Sequence, residues 1–109
     1  VSSDGGGCLP VFDADGRVTD MDVGSPGALA SALRGLLDRG QPLERVLPAF
    51  TSNPADLLRL PDKGRIEAGG DADLVVLNPN GDLTDVMALG RWHMVDGRAV
   101  VRGTFEELQ

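Results

Sequence analysis

The chain has 109 residues, 41% of them hydrophobic, and a formal net charge of −7. That length fits one small domain. An acidic balance with no Lys/Arg run gives no electrostatic footprint for nucleic acid or an anionic membrane, and no apolar run is long enough to span a bilayer.

Val1-Ser2-Ser3 reads as the end of a β-strand, and 4–11 as a glycine-rich loop. A first residue that already looks like the end of an element leads us to expect the C-terminal part of a longer protein. Asp4 precedes Gly5-Gly6-Gly7. An acid where a strand gives way to a loop is how α/β barrels present a catalytic side chain. Glycine there removes bulk, so a ligand or metal can approach the backbone. From composition alone, the favoured reading of Asp4 is an N-cap or loop acid. Cys8 is the only cysteine, so no internal disulfide forms, which fits a reducing cytoplasm.

Phe12-Asp13-Ala14-Asp15-Gly16-Arg17-Val18 has apolar ends around a turn signature, so a small hairpin excursion is expected. The further acidic ligands and closing Glu of a calcium loop are missing. Ser25-Pro26 reads as a cap with proline at the first helical position. Leu29, Ala32, Leu33, Leu36 and Leu37 then predict an amphipathic helix to about Arg39, with Gly40 as its stop. Gln41-Pro42 starts a shorter helix carrying Leu43, Val46 and Leu47, limited by Pro48. Thr51-Ser52-Asn53-Pro54 caps a third helix over Ala55–Leu60.

The pattern changes near Pro61. Gly64-Arg65-Ile66 and Ala68-Gly69-Gly70 are turn-rich, Leu74–Leu77 is a short strand, and Asp85–Leu89 is a second. Trp92–Val95 and Arg98–Arg102 flank Asp96-Gly97, a strong hairpin signal. Residues 1–60 therefore read as loop plus helices, and 61–109 as short strands that bury too little to stand without further partner strands. His93, the only histidine, reads as structural; Trp92, Met94 and Phe105 read as packing residues, and Asp71 and Asp73 as turn and strand-edge acids.

Two groups of residues carry a family resemblance. Thr51-Ser52-Asn53-Pro54-Ala55 followed by Lys63-Gly64-Arg65-Ile66-Glu67-Ala68-Gly69-Gly70-Asp71-Ala72-Asp73-Leu74-Val75-Val76-Leu77 resembles the amidohydrolase superfamily where its barrel leads into a small β-domain. Ser2-Ser3-Asp4-Gly5, Gly7, Pro10, Phe12-Asp13 and Gly103-Thr104-Phe105-Glu106 resemble, within it, the isoaspartyl (β-aspartyl) dipeptidases. The fold this implies is α/β: residues 1–60 end a (β/α)8 barrel, with its last strand and helices, and 61–109 supply strands of a small composite β-domain. It also implies two divalent metals, normally zinc, held by histidines and a bridging carboxylated lysine or glutamate outside this chain, with Asp4 as the aspartate ligand.

By the same resemblance Asp4 is the acid/base for hydrolysis of a β-aspartyl peptide bond. Two cations sharing a water lower its pKa into the neutral range. A carboxylate beside them stays ionised, takes the proton and returns it to the leaving amine. Gly5, Gly6, Gly7 and Cys8 become substrate-binding positions, the glycines by close approach and backbone N–H donation. The family usually has serine at Cys8, and a thiol is a weaker donor; a plain buried thiol is the competing reading. Gly6 also replaces a position that is often polar. The resemblance further implies a dipeptide substrate, the missing N-terminal part of the same protein as partner, and a homo-oligomer. Another amidohydrolase activity (N-acyl-D-amino-acid deacylase or cyclic-amide hydrolase), or an inactive fragment, is the alternative.

Overall fold

The computed structural model describes residues 1–104. Phe105 and Glu106, part of the closing run that supports the resemblance, lie outside the described residues.

Two antiparallel sheets flank a set of short helices. The first sheet is a two-stranded ribbon, β1 (Cys8–Phe12) and β2 (Val18–Val23). Its turn is the one expected at Asp13-Ala14-Asp15-Gly16. Asp13 Oδ1 accepts the N–H groups of Asp15 and Arg17, both at 2.9 Å, so this carboxylate shapes the turn. The hairpin is longer than expected, because Cys8–Val11 form a strand and not a loop. Directly paired residues share a face of the ribbon. Cys8↔Val23, Pro10↔Met21 and Phe12↔Val18 make one face wholly apolar.

Residues 1–3 are not a strand in this structure. A strand exists only beside another backbone that can complete its hydrogen bonds. No described strand runs beside 1–3, and only the Val1 amino group reaches a neighbouring carbonyl, Ala49 O at 3.0 Å.

Helix α1 (Ala28–Asp38) follows the predicted apolar stripe. Ser25 does not cap it directly. Its hydroxyl accepts the Gly27 N–H at 3.3 Å, in a turn that leads into the helix. Gly40 donates to Leu37 O and Gln41 to Leu36 O, at 2.9 and 3.1 Å, a glycine-ended helix stop. Helix α2 (Leu43–Val46) tightens at Pro48 into a 3-10 turn, Leu47–Ala49. Helix α3 is Ser52–Leu57, earlier at both ends than expected. Its start is fixed when the Thr51 hydroxyl bonds back to Leu47 O at 2.9 Å. Its end falls where Arg59 turns to φ 56. No helix is long and apolar enough to cross a membrane among the described residues.

The second sheet is a meander in the order β3 (Leu74–Leu77), β4 (Leu83–Ala88), β5 (Arg91–Val95), β6 (Arg98–Ala99). Asp96 and Gly97 both have positive φ, 48 and 74, which a two-residue turn of this hand requires. The Gly97 N–H bonds to Thr84 O at 2.8 Å and the Asp96 N–H to Asp85 Oδ1 at 3.1 Å, tying the turn to β4. The helices reach this sheet through Arg34, whose guanidinium pairs with Asp38 on its own helix and with Asp82 before β4. Ala55 is the one apolar side chain buried among the described residues.

Lys63, the single lysine, joins the turn-rich segment to the sheet. Its Nζ lies 2.8 Å from Asp71 and 2.5 Å from Asp73. Asp73 Oδ1 also accepts the Leu89 N–H at 2.7 Å. The Lys63 hydrogen bond, then that N–H, hold the Asp73 carboxyl below its ordinary 3.8. A depressed carboxyl stabilises the fold above its unfolded value and loses that contribution as pH falls through the folded one. The Leu89 amide resonance of the whole protein is therefore expected to move with a midpoint below pH 3.8. Asp73→Asn should abolish that titration, and an NMR pH series reads both.

Candidate active site

Asp4 sits at the base of the β1–β2 hairpin. Its backbone is left-handed, φ 48, a region in which aspartate is among the better-tolerated residues. Such outliers concentrate at functional positions, where the surroundings over-determine them. Three backbone hydrogen bonds, each 2.8 Å, do that here: Gly7 N–H to Asp4 O, Gly24 N–H to Gly7 O, and Gly6 N–H to Gly24 O. The Asp4 N–H reaches Ser2 Oγ at 3.3 Å. The side chain is exposed. Neither of its carboxylate oxygens accepts a hydrogen bond among the described residues, so both are open to a ligand or a proton.

The structure brings Asp4, Gly5, Gly6, Gly7 and Cys8 into one turn-and-strand unit. The N–H groups of Gly6 and Gly7 are spent inside the hairpin base. Of the three glycines expected to donate to a substrate anion, Gly5 is the one whose N–H takes no part in these hairpin-base bonds. Cys8 is exposed at the start of β1, not a buried thiol. His93 lies in β5 of the other sheet, and Asp71 and Asp73 serve the Lys63 latch.

Sequence reasoning missed Gly24. It is buried, and a Cβ there would overlap the Asp4 carbonyl. The signal lies in the register of the folded hairpin and not in the sequence: with Cys8 opposite Val23, Gly24 falls opposite Gly7.

As a metal site the chain offers one carboxylate. No group of three or more His, Cys, Asp or Glu that could hold an ion occurs among the described residues. Asp4 fits a single hard-oxygen ligand and nothing more.

The profile of the amidohydrolase family matches residues 12–101, most of the chain. This chain belongs to the amidohydrolase family. A β-aspartyl dipeptidase from Fervidobacterium islandicum AW-1, solved in complex with a β-Asp-Leu dipeptide, superposes with a TM-score of 0.82 at 39% identity, covering 96% of this chain and 27% of that one. The dihydroorotase of Halobacterium salinarum is 40% identical over 64% of this chain and 16% of its own length. The allantoinase of Enterococcus faecalis is 32% identical over 73% and 18%. This amidohydrolase chain spans about a quarter of the solved relative and under a fifth of the curated ones. Its helices and sheets are the α/β parts of that fold, a portion of the barrel and the small β-domain. Members of this family are hydrolases and typically use divalent metals.

Proposed function

We propose that the whole protein hydrolyses the β-aspartyl peptide bond of dipeptides, with Asp4 as metal ligand and proton carrier. Residues 1–60 belong to its barrel and 61–109 to its small β-domain. The observation that supports this substrate above others is the likeness to the β-aspartyl dipeptidase, which extends over 96% of the chain at 39% identity.

Each residue of the hairpin base has its own part. Asp4 accepts the proton of the attacking water on a free carboxylate oxygen and returns it to the departing nitrogen, since an amine leaves poorly unless protonated. The three hydrogen bonds at the hairpin base keep it in place for both transfers. Gly5 and Cys8 line the approach to the substrate, with the Gly5 N–H and the thiol facing its free carboxylate. A pair of divalent cations, zinc by family habit, would ionise the water and polarise the scissile carbonyl. Their other ligands come from outside residues 1–104. The acidic chain and single thiol suit a cytoplasmic enzyme, and a homo-oligomer is part of this reading.

The dihydroorotase and allantoinase likenesses favour a second reading, cyclic-amide hydrolysis. Assay of the full-length protein against β-Asp-Leu, dihydroorotate, allantoin, a hydantoin and an N-acyl-D-amino acid separates the two. The expected result is the highest kcat/KM on β-Asp-Leu. A cyclic amide turned over faster would replace the dipeptidase assignment.

A further inference from the structure

We propose that Gly7 is a positioning residue for Asp4, a role that rests on the proton-transfer reading of Asp4 and differs from contact with substrate. The Asp4 side chain folds back over the bare Cα of Gly7. A Cβ built on Gly7 would stand 2.5 Å from Asp4 Cγ and 2.7 Å from Oδ1, closer than such atoms approach one another. Its three nearest neighbours are all carboxyl atoms of Asp4.

The backbone at Gly7 is ordinary. Positive φ occurs at Gly6 (80) and not at Gly7, so alanine at 7 meets no left-handed strain. Glycine there leaves the space that the Asp4 carboxylate occupies, and a Cβ would push that carboxylate aside. The seat is fixed from below by Gly24, whose N–H donates to Gly7 O and whose Cα packs on the Asp4 main chain. The bare Cα of Gly7 thus leaves the Asp4 carboxylate room to lie over the hairpin base with no hydrogen bond to it. Both oxygens stay free for chemistry.

Gly7→Ala isolates this effect. In the full-length, metal-loaded protein, kcat for β-Asp-Leu is expected to fall about 100-fold, the scale of a displacement near 1 Å, with KM within about twofold. The thermal midpoint should drop only slightly, because what must give way is the free end of an exposed side chain. In an Asp4→Ala background, where the carboxylate is gone, Gly7→Ala should cost no thermal stability. A raised KM with kcat preserved would make Gly7 a substrate contact and overturn the proposal. So would unchanged kinetics, or a thermal cost that persists in the Asp4→Ala background. Asp4→Asn with near-normal turnover would instead sink the proton-transfer reading, and the thermal coupling of Gly7 to Asp4 would then decide the seat on its own.

Discussion

Asp4→Asn in the full-length protein should leave the fold and most of the bound metal in place and lower kcat for β-Asp-Leu by about 10³-fold or more, the range of a lost general acid–base. The substitution is close to isosteric. Asparagine tolerates the left-handed backbone about as well as aspartate, so φ 48 at this position does not select against it. The hairpin-base hydrogen bonds use main-chain atoms of Asp4, Gly6, Gly7 and Gly24 and are untouched. What changes is chemical. An amide oxygen can still face a cation, but it carries no charge and cannot take a proton near neutral pH. Turnover, metal content by elemental analysis, and the thermal midpoint are the three measurements. A slow enzyme with retained metal and midpoint supports the assignment, and near-normal hydrolysis refutes it. A large loss of metal would show that Asp4 matters first as a ligand.

The elements that local chemistry dictates were legible. Apolar spacing gave α1, the Asp96-Gly97 pair gave the β5–β6 turn, and Leu74–Leu77 stood out as a strand between polar turns. The ribbon over 8–23 was underestimated for a physical reason. Cys8-Leu9-Pro10-Val11-Phe12 is apolar at every position, so it has no period of two to announce a strand. The alternation appears only in its partner, where Asp20 and Asp22 sit opposite Val11 and Leu9. Residues 1–3 failed differently, since a strand is a property of a pair of backbones and not of one. In the site, Asp4 could be picked out because a lone acid before three glycines is locally unusual. Gly24 could not, because its contribution is the absence of a side chain against a residue twenty positions away. Gly7 stood out as glycine, which suggests a donor for an anion. Its amide bonds to the Asp4 carbonyl and its bare Cα lies under the Asp4 carboxyl, contacts that exist only in the folded hairpin.

The second large effect concerns the 109 residues taken alone, which are expected to show neither cooperative thermal unfolding nor hydrolysis of β-Asp-Leu, with or without added zinc. The argument is one of surface. A compact monomer of this mass exposes about 5,800 Å², whereas this chain exposes 8466 Å². The excess has an address. Phe12 (57%), Met21 (55%) and Val23 (63%) lie open on the apolar face of the ribbon. Val75 and Val76 lie open on β3, an edge strand of the second sheet. Ala55 alone is buried among the apolar residues described, and one methyl group cannot offset the entropy of ordering a chain of this length. Surface of this kind is covered in a folded protein, or it draws chains together. Calorimetry of the isolated chain should therefore give no sharp transition, and a hydrophobic dye should bind it strongly. A two-state melt with little dye binding would show that the ribbon and sheet support each other without further partners. Zinc-dependent activity from the chain alone would show that Asp4 finds its fellow ligands within these residues, and the assignment of the remaining metal donors to the rest of the protein would fall.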